Sequence, residues 1–429
     1  MNDRQIVAGM IAWIEKNLTA EVDARALAEH SGYSLNRLRQ KFFNVTGDTP
    51  SGYLRKRKLT EASKEILAGR RIADVSLKYG YSSQDNFTTA FRSYFGIPPG
   101  ELYQIDSKYK RFISRLREEF SIMEIIRLQQ PPFCSTMMGC VKGTADYFDL
   151  DLSPPMLFGL SGHAFLINIH HELCPSSPYV WNHEPFLKLL HNLGINHTGD
   201  RSFDKSTPMD ERRKTEAELK AHLEGGNLVM LTFLEHQLVN GFDEEGFSFL
   251  KPWEDECEVQ LQRLTFGTWE EALEKEGWVM FDLLERGELK TNVLSNTREA
   301  LSYALDLFRN PEAHQCEGYR VGFGAYENWI THTKKAGGDS HGNWWNGMVW
   351  KECRDMASAF FLELEELLDI PGGKELCRSL GENYRSQAAR FDRIKERALD
   401  DGERIRLLEE NRSAEEEAVS AMETLLGYC

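Results

Sequence analysis

Cys140 and His236 are the residues of this 429-residue chain whose types could do covalent chemistry. In "MMGCVKGTADYFDLDLSPPMLFGLSG" Cys140 stands just before a segment that reads as a helix, where a helix dipole lowers a thiol pKa. About a hundred residues later, "LEHQLVNGFDEEGFSFLKPW" puts His236 at the start of a strand hairpin, with "GFDEEG" as its turn. A second cluster, "HAFLINIHHELC", holds His163, His170, His171 and Cys174. Those types suit Zn²⁺, but the spacing matches no familiar site, and adjacent histidines on a regular element point apart. Neither a metal nor a cofactor is expected.

Other residues could recognise rather than react. Asn36, Arg37, Arg39 and Gln40 lie close together, as do Gln84, Asp85, Asn86, Thr88 and Thr89. These side chains can hydrogen-bond base edges. Arg55, Lys56, Arg57 and Lys58 are consecutive and suit phosphates. Tyr179, Trp181, Tyr326, Trp344 and Trp345 could wall a small-molecule pocket. In "NWWN" the residues Asn343, Trp344, Trp345 and Asn346 cannot all face one core, so at least one tryptophan there lines a surface or cavity.

The polar sets sit in two copies of one pattern. Leu27 pairs with Val75, Gly32 with Gly80 and Tyr33 with Tyr81. One residue is inserted in the second copy, after which Leu38 pairs with Phe87, Phe42 with Phe91, Gly47 with Gly96 and Pro50 with Pro99. An ordered series with a single slip is an internal repeat. Each copy reads as helix, glycine turn, helix. Ser34 and Ser82 are the expected N-caps, with Asp85 at capping-box distance from Ser82. Leu38 and Phe42, or Phe87 and Phe91, mark a buried stripe opposite the polar residues. Between the copies, Tyr53 to Ala68 lacks interior Pro and Gly and forms a connecting helix of roughly 25 Å. Successive major grooves lie about 34 Å apart on straight DNA.

Residues 8 to 104 resemble the DNA-binding domain of the AraC/XylS family, through the double motif, "RKRKLTEA" and "FRSYFGIPPGEL". The resemblance implies that Asn36, Arg39, Gln40, Gln84, Asp85 and Thr88 face bases. It implies double-stranded DNA and RNA polymerase as partners and activation as the sense of regulation, and it leaves a homodimer open. The family often has arginine where Thr89 stands, so the second helix is expected to contribute less affinity.

The region around Cys140 and His236 resembles the papain-like fold of bacteriocin-processing cysteine peptidases and the N-terminal region of the butirosin-biosynthesis acyltransferase family. There a helix-opening cysteine meets a hairpin histidine, and an Asp commonly precedes a proline on the next strand. Here Lys251 precedes Pro252, and Gln237 replaces the usual aromatic. Without an orienting carboxylate a Cys–His pair loses control of its tautomer. The expectation is a papain-like fold reused for binding, and no enzyme activity.

Charge divides the chain in the same way. Residues 1–106 carry 15 Lys and Arg against 12 Asp and Glu, whereas the whole chain is −16, which leaves −19 for the remainder. No run of 18 apolar residues occurs, the first residues do not read as a signal peptide, and the eight cysteines include no C-x-x-C pair. A soluble cytoplasmic protein with reduced thiols and no membrane partner is expected. The predicted architecture is multidomain: an all-α double helix-turn-helix over 1–106, a helical linker over 107–130 with Phe112, Leu116 and Phe120 on one face, a mixed α+β papain-like module over 131–290, and helices over 291–429. The tail from Asp400 to Leu425 reads as a charged, exposed helix. Three functions follow. One is a one-component regulator whose C-terminal part senses a small effector, cationic or amphipathic given the acidic aromatic body. The others are a DNA-targeted Cys–His enzyme and a partner-binding adaptor.

Overall fold

A computed structural model describes residues 3–19, 24–46, 49–104, 123–125, 128–243, 245–253, 260–289, 292–368 and 371–428. The chain forms two compact units, 1–127 with 240–246, and 128–239 with 247–429.

The first unit, the head, is helical. It runs α1 (Asp3–Lys16), α2 (Ala24–Ser31), α3 (Leu35–Thr46), α4 (Pro50–Leu67), α5 (Ile72–Lys78) and α6 (Gln84–Phe95). Gly32 and Gly80 take φ of 71° and 80° in the turns after α2 and α5, where a Cβ would be strained. Thr49 caps α4 by accepting the Gly52 N–H, with Pro50 in the first turn, where its missing donor costs nothing. The cap of α6 is Ser83, one residue beyond the expected Ser82. Ser83 Oγ accepts the Asn86 N–H, and Ser82 Oγ accepts the Asn86 side-chain amide at 2.8 Å.

Two apolar cores fill the head. Val7, Met10, Ile14, Leu27, Leu38, Phe42 and Leu54 form one. Leu59, Ala62, Ile66, Val75, Phe87, Phe91 and Phe95 belong to the other. The connecting helix α4 supplies side chains to both. The linker helix expected over 107–130, with Phe112, Leu116 and Phe120, falls mostly outside the described residues. Its described end is not helical: β1 (Met123–Glu124) pairs antiparallel with Gly241–Phe242.

The second unit, the body, begins with α7 (Thr136–Tyr147), α8 (Pro154–Leu160), β2 (Asn168–His170) and α9 (Glu184–Leu189). β3 (Ile195–Asp204), α10 (Met209–Glu224), β4 (Leu228–Thr232), β5 (His236–Phe242), β6 (Gly246–Phe249), β7 (Arg263–Thr265), α11 (Glu270–Leu273) and β8 (Trp278–Arg286) follow, with residues 240–246 at the β5–β6 hairpin counted in the first unit. The sheet order is β3-β8-β4-β5-β6-β7. β4 lies antiparallel between β8 and β5, with Thr232 opposite both Met280 and His236. All five residues of β4 are buried, as in a strand covered on both faces.

After the sheet come α12 (Val293–Arg309), β9 (Tyr319–Val321), α13 (Phe323–Ala336), α14 (His341–Leu367), α15 (Pro371–Ile394) and α16 (Asp401–Leu426). β9 pairs with β2, so chain beyond residue 290 completes a sheet begun before it. The tail helix α16 is not an exposed helix. Leu408, Ala418, Met422, Leu425 and also Glu415 are buried along one face. Glu415 accepts hydrogen bonds from Arg354 at 2.7 and 3.1 Å, from Tyr326 OH at 3.0 Å and from Tyr384 OH at 3.1 Å. Arg354 also donates to the carbonyls of Ala164 and Leu166, both at 2.9 Å.

Candidate functional site

α3 and α6 each bury one face and expose the other. Leu38 and Phe42 are fully buried, as are Phe87, Phe91 and Phe95, whose tilted rings lie 5.5 and 4.5 Å apart along α6. Asn36, Arg37, Arg39 and Gln40 are exposed on α3; Gln84, Asp85, Asn86 and Thr89 are exposed on α6, with Thr88 half-buried. The side chains of Asn36, Arg39 and Gln40 make no hydrogen bond or ion pair among the described residues, which leaves their capacity for a ligand. Asn86 is partly spent on the α6 cap.

The basic run on α4 divides. Arg55 and Lys56 are exposed. Lys58 is half-buried beside Gly80, and burial lowers its pKa. Arg57 turns towards acidic side chains: it donates to both carboxylate oxygens of Glu15, at 2.9 and 3.1 Å, and to Glu61 at 3.1 Å. It thus ties α4 to α1. One residue of the α3 face has no counterpart among the sequence candidates: Phe43, which is 55% exposed.

In the body the sequence candidates part company. Cys140 lies inside α7, not before it. Its thiol is fully buried and pushed well above the usual range by burial, then by the charges of Asp282 and Glu235. The cysteine at the start of α7 is Cys134. Its N–H and that of Ser135 donate to Glu352, both at 2.9 Å, so a carboxylate already satisfies this helix end. Burial, with the Glu352 charge, pushes the Cys134 thiol up to about 12. His236 opens β5 as expected and is buried, and burial holds its imidazole neutral. Neither ring nitrogen of His236 has a hydrogen-bond partner among the described residues, so no thiol is joined to it there.

A different cluster surrounds His236. Glu235 Oε1 accepts from Tyr179 OH at 3.0 Å, and Oε2 accepts from Thr136 Oγ1 at 2.8 Å. Tyr179 OH accepts from Trp345 Nε1–H at 3.1 Å. Trp253 meets Trp345 edge-on at 5.6 Å, and Trp344 lies 5.7 Å from Trp345. The Tyr179 and His183 rings lie 6.0 and 5.8 Å from the His236 ring, neither of whose nitrogens has a partner among the described residues. Ser135 Oγ sits 2.8 Å from His163 Nε2.

Of the five aromatic candidates, Tyr179, Trp344 and Trp345 therefore come together. Trp181 lies beside His183 and His163, with ring distances of 4.4 and 6.0 Å. Tyr326 belongs elsewhere, bonded to Glu415 and fully buried. His170 and His171 do not point apart, because the strand ends between them; their rings meet at 4.2 Å. No metal-holding group of His, Cys, Asp and Glu occurs among the described residues.

Glu235 gives a pH prediction. Burial, against the pull of its Thr136 and Tyr179 bonds, raises its carboxyl to about 7. A carboxyl raised on folding opposes the fold when ionised. The stability it permits is full below the unfolded carboxyl pKa and is lost as pH rises towards 7. At 1.36 kcal/mol per unit, the loss is on the order of 3 kcal/mol. Urea unfolding between pH 5 and 8 will show the fall in the native chain and a flatter profile in Glu235→Gln.

Comparison with known proteins places the head. A family model described as a helix-turn-helix domain matches residues 27–104. The HTH-type transcriptional activator AarP of Providencia stuartii is 36% identical over 101 residues, 23% of this chain and 74% of its own. The regulatory protein SoxS of Escherichia coli is 33% identical over 102 residues, 24% of this chain and 95% of its own. The transcriptional regulator Rob of Salmonella typhimurium is 26% identical over 249 residues, 54% of this chain and 79% of its own, so that similarity runs past the head. No described helix is long and apolar enough to cross a membrane. With two helix-turn-helix units, two exposed polar helix faces and these relatives, the chain belongs to the AraC family of helix-turn-helix DNA-binding transcriptional regulators.

Proposed function

We propose that the protein is a cytoplasmic one-component transcriptional activator whose body binds a small-molecule effector. The observation that carries the DNA reading is the pair of helices α3 and α6, each with a buried apolar stripe and an outward polar face, joined by α4. Asn36, Arg37, Arg39 and Gln40 on α3 and Gln84, Asp85, Thr88 and Thr89 on α6 read base edges. Arg55 and Lys56 meet phosphates, with Lys58 at the margin. RNA polymerase is the partner through which activation acts, as the description of one relative, AarP, as an activator supports.

The effector site is the cluster of Tyr179, Trp345, Trp344 and Trp253 over Glu235 and His236, with Trp181 behind it. Half-buried aromatic rings lead there to a buried carboxyl group and an imidazole with unused nitrogens. That chemistry suits a small cationic or amphipathic molecule, held by ring faces at about 0.5–2 kcal/mol per contact. Body acidity supports the same choice. Catalysis is not part of this proposal, because Cys140 is fully buried inside α7 and burial raises its pKa.

Arg39→Ala should weaken operator binding by about 1–3 kcal/mol and relax selectivity at one base position, whereas Lys56→Ala should weaken all duplexes alike. Electrophoretic or fluorescence titration over a set of single-base operator variants reads both. Equal losses for the two variants across all sequences would remove α3 as a reading helix. For the effector, tryptophan fluorescence titration with polyamines, aminoglycosides and cationic dyes, compared between the native chain and Tyr179→Phe, tests the site. A response confined to anionic ligands would overturn the charge assignment.

A further inference from the structure

The outward face of α3 is polar except at one place. At 100° per residue, Asn36, Gln40 and Phe43 fall within a narrow arc, with Arg39 beside them. Leu38 and Phe42 lie on the opposite side and are fully buried. Phe43 is 55% exposed, which sets it apart from Phe42 next to it and from the three α6 phenylalanines, all fully buried. It makes no ring contact among the described residues. A phenyl ring more than half in water forgoes part of the free energy that burial would supply, and an apolar partner for it is sought where the helix does its work.

If α3 lies in a major groove, the choice of apolar partner is narrow. Base edges there present donors, acceptors and one hydrocarbon group, the C5 methyl of thymine. Asn36, Arg39 and Gln40 can satisfy donors and acceptors; a phenyl ring can satisfy neither. We propose that Phe43 is a specificity-determining residue that reads a thymine methyl group in the operator. This rests on the DNA reading of α3 given above. The ring sits on the turn after Gln40, so its thymine lies next to the base contacted by Gln40. The contact excludes cytosine, whose edge there lacks the methyl, and it adds nothing to binding of unrelated duplexes.

The test uses the full chain. Operators are selected from random duplexes, and each conserved thymine is replaced in turn by deoxyuridine, which removes only the methyl. For the native chain, one thymine should carry a penalty of about three- to tenfold. Phe43→Ala should lose a similar factor on the unmodified operator and show no penalty for deoxyuridine at that position. Its affinity for unrelated DNA and its salt dependence should not change.

A second measurement needs no variant. Deoxyuridine carrying bromine at C5 mimics thymine and crosslinks on irradiation, and the crosslinked peptide should contain Phe43. Equal deoxyuridine penalties in the native chain and Phe43→Ala at every thymine would overturn the proposal, as would a crosslink that maps away from α3. Unchanged DNA binding with lowered transcription in Phe43→Ala would also overturn it, and would assign the ring to a protein partner. Failure to select any duplex is a separate result: it removes the DNA reading itself.

Discussion

Arg354→Ala will destabilise the body by about 3–5 kcal/mol, the cost of leaving a buried partner charge uncompensated. Arg354 and Glu415 are both fully buried. Arg354 joins the carbonyls of Ala164 and Leu166 to Glu415 on α16, and Tyr326 and Tyr384 complete the shell around that carboxylate. Removal of the guanidinium orphans two carbonyls and one charge together. Glu415→Ala should cost a comparable amount, since the buried cation is then the orphan. The double change Arg354→Met with Glu415→Leu should recover much of the loss, because apolar groups of similar volume need no partners. Denaturant unfolding of the three variants reads these values. If each single variant cost less than 1 kcal/mol, the pair would not be holding α14 to α16.

Phe87→Ala will cost the head about 3–5 kcal/mol, the range for a fully buried phenylalanine truncated in a core. Phe87 meets Tyr81 edge-on at 5.1 Å and Phe91 at 5.5 Å, and it belongs to the second of the two head cores. Thr89→Ala, on the opposite and exposed side of the same helix, should change stability by no more than about 0.5 kcal/mol while altering operator choice. Paired unfolding and binding measurements separate the two faces. Similar stability losses for both variants would show that α6 does not divide into a packed side and a reading side.

The head was legible because its signals are local. Two glycines at positive φ, phenylalanines at i, i+4 and a capping threonine before a proline each report on the few residues around them. The one-residue slip at the α6 cap came from two adjacent serines, both able to cap; backbone direction chooses Ser83. The ion pair of Arg57 has no local signal, because its partner Glu15 is 42 residues away, on another helix.

The body was less legible for the same physical reason. Residues 136, 179, 235 and 345 meet around one carboxylate, and no spacing announces such a meeting. Cys140 drew notice as a helix-opening thiol, but the helix opens four residues earlier, at Thr136. The tail helix looked solvent-exposed because its buried side contains Arg404, Asn411 and Glu415, polar groups that count as surface until their partners are known.

The connecting helix α4 spans 18 residues, about 27 Å, and contributes to both head cores. Its length is therefore a ruler graduated in single steps. Each added residue would advance one reading helix by 1.5 Å and rotate it by about 100° about the α4 axis. A rotation of that size turns a face that looks into a groove towards the backbone. Drift in operator spacing cannot be followed by gradual change in α4, only by whole turns or by bending of the DNA. Promoters under this protein should thus share one phase between their two recognised segments, however freely the bases between them vary.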